Sequence, residues 1–279
     1  MPDYAPERAA AEAAAHAAAA FVRQHAGGLA DDALRSKGTH DYVTFVDEGS
    51  QRLVLDALRP AFPSDRFVGE EGADGSEALD EGRVWIIDPL DGTTNFAHGV
   101  PPYAVSIGLR VDGRGVVGVV LDVASGELFS AAAGAGLAVS GARAAVSATD
   151  RLDDALIATG VPFRDYRWAD GYLAAFEAVM RRSRGLRRHG AAAIDLAWTA
   201  AGRFDGFFEA GLAPWDVAAG VVLVEAAGGR VEGLWPGADP VTTGGIVAAA
   251  PGVFDALAAA VAPLGPAYRL ATAGTRTAG

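Results

Sequence analysis

The chain has 279 residues, with 23 Lys plus Arg against 35 Asp plus Glu and a formal net charge of −12. At roughly 150 residues per domain that is one large domain or two modest ones, and 51% apolar residues supply a substantial core. The acidic balance argues against an enzyme that grips nucleic-acid backbones through Lys and Arg, and it leaves an anionic substrate to be met by another positive charge, a divalent cation first. Cys is absent, which removes disulfides, thiolate zinc sites and Cys nucleophiles. No apolar stretch of about 18 or more residues is free of charge, and residues 1–12 lack the basic and apolar regions of a signal peptide. These features describe a soluble, cytoplasmic protein with no membrane partner. Lys occurs once, at Lys37, and Asn once, at Asn95, against an Ala-, Gly- and Arg-rich background that devalues Ala runs as a signal.

In chain order, the Ala-dominated segment from Glu7 to His25 predicts a helix stopped by Gly27 and Gly28. A second helix is expected from Asp47 to Leu58, ending before Pro60. Residues 69–81 are acidic and Gly-rich and predict a loop. Arg83 to Asp88 is a buried strand closed by Pro89, with a carboxylate at its C-terminal end. Tyr103–Val111 and Val116–Val123 predict a hairpin, and Glu127–Ala131 a further strand. Gly113-Arg-Gly-Val-Val-Gly118 fits the dinucleotide-binding spacing, but a strand follows it rather than a helix, so it reads as the hairpin turn. In the second half, strands are expected at 155–159, 204–209 and 246–250. Helices are expected at 169–181, 192–201, 214–227 and 253–261, and 271–279 reads as a tail. Antiparallel strands followed by alternating β and α predict layered α+β and α/β lobes, 1–150 and 151–279, in one compact unit.

Chemistry concentrates in Gly69-Glu70-Glu71, in Asp88-Pro-Leu-Asp-Gly-Thr-Thr-Asn-Phe96, and in Trp215-Asp216. Asp88 and Asp91 flank a Pro turn at a strand end, so their carboxylates can converge. Gly92-Thr93-Thr94 can start a helical turn whose N–H groups hold a phosphate oxygen. Carboxylates beside an anion site require cations between them, and hard divalent ions, Mg²⁺ foremost, suit oxygen ligands. Arg181-Arg182-Ser183-Arg184 and Arg187-Arg188 read as a solvated helix end, with a dimer or acidic-partner surface as the sharper alternative. His98 reads as a structural hydrogen-bonding residue, and no serine has the setting of a hydrolase triad.

The run Asp88-Pro-Leu-Asp-Gly-Thr-Thr-Asn-Phe-Ala-His-Gly-Val-Pro101, preceded by Gly-Glu-Glu and followed by Pro-Trp-Asp-Val-Ala-Ala-Gly220, resembles the inositol monophosphatase family from Lys37 through Gly220. The resemblance implies a layered αβαβα fold with mixed antiparallel and parallel sheets. It also implies Mg²⁺-dependent, usually lithium-sensitive hydrolysis of phosphate monoesters, with two or three ions, by a homodimer. It carries the metal ligands onto Glu70, Asp88, the Leu90 carbonyl, Asp91 and Asp216, with Glu70 also in the catalytic set. The water-activating pair falls on Thr93 and Asp47, and phosphate contacts fall on Gly92 and Thr93. Substrate hydroxyls fall to Asp91, Gly190, Ala191, Ala192 and Glu209, with Lys37 and His189 near the pocket. Thr94 speaks against histidinol-phosphate and adenosine bisphosphate phosphatases, in which Lys more often follows Asp-Gly-Thr. Ala191 departs from the family's common Ser or Thr and leaves other sugar, cyclitol, fructose bisphosphate or nucleotide phosphates open. Some bacterial relatives act as partners of the transcription machinery, which gives a reading from another class.

Overall fold

The N-terminal helix owes its position to spacing. In α1 (Ala5–Gln24) the buried residues are Ala11, Ala14, Ala15, Ala18, Ala19 and Val22, an apolar stripe of small side chains along one face. The structure, a computed structural model, describes residues 3–27, 34–38, 41–73, 78–163 and 165–273, with only the backbone for 34–38 and 41–44.

The elements that follow are β1 (Leu34–Gly38), β2 (Asp41–Thr44), α2 (Phe45–Leu58), β3 (Arg66–Gly69), β4 (Arg83–Asp91), α3 (Thr93–Ala97), β5 (Ala104–Val111), β6 (Arg114–Asp122), β7 (Leu128–Ala132), β8 (Gly136–Val139) and β9 (Ala142–Ala144). The second half contributes β10 (Leu156–Thr159), α4 (Ala169–Met180), β11 (Gly185–Arg187), α5 (Ala192–Ala200), β12 (Gly206–Ala210), α6 (Pro214–Ala226), β13 (Arg230–Gly233), α7 (Pro240–Thr243), β14 (Gly245–Ala249), α8 (Pro251–Val261) and α9 (Leu264–Ala273).

Strands β3 to β9 form one sheet in sequence order, antiparallel except for the parallel β3–β4 pair. A second sheet has the order β11-β10-β12-β14-β13, parallel on the β11 side and antiparallel on the β13 side. Alternation along the strands assigns the layers. On β4, Trp85 and Ile87 face α1 and α2, whereas Val84 and Ile86 join a core with Ile194 and Leu196 of α5 and Val217 and Leu223 of α6. Phe207 of β12 closes that same core from the second sheet, while Phe208 faces Tyr172 of α4, Phe254 of α8 and Leu264 of α9. The order is therefore helices, large sheet, α5 and α6, small sheet, helices: the αβαβα sandwich that the family resemblance implies.

Two sequence boundaries need correction. The β4 strand does not close at Pro89 but continues to Asp91 through an irregularity in register. Ala271 to Ala273 belong to α9 rather than to a tail; residues 274–279 lie outside the described part. The hairpin reading of Gly113 holds: Asp112 (φ 48°) and Gly113 (φ 77°) make a two-residue turn between β5 and β6.

Helix α6 sits directly on the large sheet because the strands beneath it present glycines. Gly108 and Gly118 are paired across β5 and β6. A Cβ on Gly118 would stand 2.4 Å from the Ala219 carbonyl oxygen, and one on Gly108 would stand 3.0 Å from the Ala218 backbone. Gly118→Ala should therefore cost about 1–3 kcal/mol, the usual range for overpacking. The urea midpoint should fall with the slope unchanged; an unaltered midpoint would show that α6 can move away at no cost.

Candidate active site

Asp88 and Asp91 lie three residues apart on β4, a spacing that sends side chains to opposite faces of a regular strand. Here they share a face. Asp88 pairs with Ser106 and Asp91 with Ala104, three steps on β4 against two on β5, so one extra residue bulges between them. Ala104 belongs to the α5–α6 core and Ser106 Oγ donates to the Trp215 carbonyl at 3.4 Å, which places that shared face beneath α5 and α6. The bulge turns the other way. Leu90 is buried with α1 and α2, and the Pro89 carbonyl accepts from Ser50 Oγ of α2 at 2.7 Å.

Each carboxylate is tied by one oxygen to a backbone N–H. Asp88 Oδ1 accepts from Leu90 N at 3.0 Å. Asp91 Oδ2 accepts from Ala193 N at 2.8 Å and so caps α5, whose own N-cap residue, Ala191, has no side-chain acceptor. Asp216 Oδ2 accepts from Ala213 N at 2.7 Å and closes the first turn of α6. One oxygen from each of Asp88, Asp91 and Asp216 lies within 4.8 Å of the others. This packing has an electrostatic cost. Burial, then the charges of Glu70, Asp91 and Asp216, push the Asp88 carboxyl well above the usual range. Burial, then Asp216, raises Asp91 against the hydrogen bond from Ala193.

One face of α2 supports the cluster from the other side. Thr93 Oγ1 reaches Asp47 Oδ1 at 3.0 Å and the Leu90 carbonyl at 3.1 Å, and its single proton serves one of them at a time. Gln51 donates to the Glu71 carbonyl at 2.7 Å and accepts from Glu71 N at 3.0 Å, which holds the Glu70-Glu71 segment against α2. Gly92, at φ 86°, starts the short helix α3. The sequence's one Asn joins the halves: Asn95 Nδ2 donates to the Pro102 carbonyl at 2.8 Å and to the His189 carbonyl at 2.7 Å.

These residues enclose a pocket of about 340 Å³. Of the predicted residues, Glu70, Asp88, Leu90, Asp91, Gly92, Thr93, Gly190, Ala191, Ala192, Glu209 and Asp216 line it, and a Cβ on Gly92 would stand 3.3 Å from that of Ala191. Asp47 stands fully buried behind Thr93. The His189 ring turns away from the pocket: its Nδ1 meets Asp195 Oδ1 at 2.7 Å and it stacks on Phe204 with centroids 5.3 Å apart. Lys37 lies on β1 by its backbone, and its side chain is outside the described residues. His98 is exposed and ends α3 through its backbone.

Residues that sequence reasoning did not place here are Arg188, Phe163, Tyr166 and Leu212 in the pocket wall, with Asp195 behind it; Trp215, singled out with Asp216, also lines it. The arginines of the basic cluster are exposed, as the solvated reading expects, but Arg188 also lines the pocket. Arg181 pairs with Glu177 and Arg184 with Asp154 at the surface. Burial raises Asp195 to about 6 despite its bond to His189, and burial with Asp195 and Asp216 raises Glu209 well above the ordinary value against the charge of Arg188.

The chain belongs to the inositol monophosphatase family, whose sequence profile matches residues 3–264. It is 45% identical over 235 residues to the Nus factor SuhB of Pseudomonas aeruginosa, covering 82% of this chain and 86% of that protein. It is 43% identical over 211 residues to an inositol-1-monophosphatase of Rhizobium meliloti, covering 76% and 79% respectively. The solved inositol monophosphatase of Anabaena superposes with a TM-score of 0.81 at 36% identity, over 95% of this chain and 98% of that one.

The raised carboxyls predict the pH behaviour of the metal-free fold. For Asp88, Asp91, Glu209 and Asp195 the folded state holds the proton more tightly than the unfolded chain, whose values lie near 4. Stability therefore rises as pH falls through the raised folded values toward about 4, and it is lost as pH rises through them. In chelator, Tm should climb by several degrees between pH 8 and pH 5, and Asp88→Asn should raise Tm at pH 8. Calorimetry that finds Tm lower at pH 5 than at pH 8 would contradict this account of the cluster.

Proposed function

We propose that this pocket hydrolyses a small phosphate monoester, inositol 1-phosphate first, by direct attack of water on phosphorus with Mg²⁺ as cofactor. The observation that carries this reading is the convergence of Asp88, Asp91 and Asp216 within 4.8 Å, next to the Thr93–Asp47 pair. The donor set fits a hard divalent cation, since every ligand it offers is oxygen and its buried carboxylates repel one another until positive charge is added. Glu70, Asp88, Asp91, Asp216 and the Leu90 carbonyl would hold two or three such ions. Bound there, Mg²⁺ supplies Lewis acidity, lowering the pKa of water and offsetting charge on the phosphate and the leaving oxygen.

The chain's own groups do the positioning. When Thr93 donates its proton to Asp47, its oxygen lone pairs are left to accept from a water and aim it in line with the ester bond. The backbone N–H groups of Gly92 and Thr93 hold phosphate oxygens. Glu209 accepts from hydroxyls of the leaving group, whose outline is set by Gly190 to Ala192. A phosphate ester of another sugar or cyclitol, histidinol or a nucleotide fits the same chemistry.

Exhaustive chelation should abolish phosphate release and Mg²⁺ should restore it. Asp88→Asn and Asp216→Asn should each lower kcat by about a hundredfold or more, and Thr93→Ala should lower kcat more than it raises KM. Glu209→Gln should reduce kcat/KM about tenfold for inositol 1-phosphate and far less for an aryl phosphate without hydroxyls. Full turnover in chelator, or equal losses on both substrates for Glu209→Gln, would remove the metal and the hydroxyl assignments respectively. A second reading, a binding partner of the transcription machinery, is supported by the relatives called Nus factor SuhB. Capture of RNA polymerase by wild type and Asp88→Asn alike would establish it as independent of hydrolysis, and no capture by either would exclude it.

A further inference from the structure

Strands β10 and β12 run side by side, with Ile157 opposite Gly206, Ala158 opposite Phe207 and Thr159 opposite Phe208. Ala158 and Phe207 face the α5–α6 core, and Phe208 faces α4, α8 and α9. One step on, alternation returns Gly160 and Glu209 together to the α5–α6 side, where Glu209 lines the pocket. A Cβ on Gly160 would stand 1.8 Å from Glu209 Oε1, 2.0 Å from its Cδ and 2.3 Å from its Oε2. The Glu209 carboxylate therefore lies across the end of the neighbouring strand, in the space a side chain at 160 would take. Gly160 does not have a positive φ, so its backbone conformation makes no demand for glycine. The space above it does.

Among the described residues the Glu209 carboxylate has no hydrogen-bond or ion-pair partner, and the neighbouring charges act on it through space. Its place is set by shape, and the open position on the next strand is part of that shape. At Gly118 a side chain would meet a helix carbonyl, whereas at Gly160 it would meet the free end of a flexible side chain. A methyl at 160 is therefore admitted by a rotation of Glu209, with little loss to the fold but with the carboxylate moved from its place in the pocket. We infer that Gly160 is a specificity-determining position, whose missing side chain keeps open the place from which Glu209 meets a hydroxyl of the leaving group. Gly160 acts through Glu209, as a positioning residue. Selectivity for hydroxyl-rich phosphate esters is then set by two residues on adjacent strands, one that accepts and one that makes room. This rests on the phosphatase reading and deepens it.

The test compares Gly160→Ala with wild type on inositol 1-phosphate and on phenyl phosphate, both with Mg²⁺. The ratio of kcat/KM for the first to that for the second should fall about tenfold, as for Glu209→Gln. Adding Gly160→Ala to Glu209→Gln should lower that ratio no further, because both changes remove the same interaction. A crystal structure of Gly160→Ala should show Glu209 turned away from position 160, with β10 and β12 unmoved. An unchanged ratio overturns the inference, as does an equal loss on both substrates. So do losses that multiply in the double variant, or a Glu209 that keeps its place while β10 shifts. If Gly160→Ala does not fold, Gly160→Ala/Glu209→Ala should, since the obstruction is gone; failure of both overturns the inference as well. If wild type releases phosphate from neither compound, the phosphatase reading fails by itself, and the crystal structure alone decides whether Gly160 sets the place of Glu209.

Discussion

One inserted residue on β4 governs the rest of the site. Without the bulge between Asp88 and Asp91, the two carboxylates would point to opposite sides of the large sheet, one toward α1 and α2 and the other toward α6. With it, both face the layer in which α5 and α6 begin. Ser50 holds the bulge through the Pro89 carbonyl, and the neighbouring residues Asp47 and Gln51 on the same helix position Thr93 and the Glu70-Glu71 segment. A single helical face thus sets three walls of the pocket, because positions 47, 50 and 51 are neighbours at helical spacing.

The glycines beneath α6 complete the placement. Gly108 and Gly118 let that helix approach the sheet closely enough for Asp216 to hang over the end of β4. The same closeness means that the two halves of the chain share one core: Ile86 and Phe129 from the first half pack with Ile194, Phe207 and Leu223 from the second. Opening the pocket by separating the halves would expose that core, so the geometry that brings the carboxylates together is as firm as the apolar packing behind it.

The parts of this arrangement that were legible in sequence are those written locally. Asp88-Pro-Leu-Asp91-Gly-Thr-Thr states a strand end, a turn and a helical start within seven residues, and Pro214-Trp-Asp216 states a helix start. The long helices and the central strands followed from periodicity. What was not legible depends on chain closure. The bulge that aligns Asp88 with Asp91 shows only in pairing with β5. Arg188 reads as one of a run of surface arginines until the backbone of Gly190 opens space for its guanidinium. Asp195 and His189 find each other across one turn of a helix start, a contact that spacing permits without demanding. Short strands such as β9 and β11, three residues each, carry too few positions to show a period. Asn95 was the exception: its rarity in this composition marked it, and it bridges the two halves of the chain through the Pro102 and His189 carbonyls.

The cluster is costly to assemble, and the fold offsets part of that cost where it is incurred. Two helix N-termini deliver unsatisfied N–H groups to the carboxylates, α5 through Ala193 to Asp91 and α6 through Ala213 to Asp216. Charge at such a position gains about 0.3–1 kcal/mol, up to about 2 in partly buried geometry, from the helix dipole. That is too little to neutralise three acidic groups packed within 4.8 Å of one another, two of which, Asp88 and Asp91, are more than nine-tenths buried. The residual repulsion is the useful part, because it is the free energy that a divalent cation recovers on entering. Each of these hydrogen bonds also uses a single oxygen, so Asp88 and Asp91 are oriented by the backbone and keep a second oxygen for a ligand. The fold therefore fixes the direction of each carboxylate firmly while leaving its charge only partly answered.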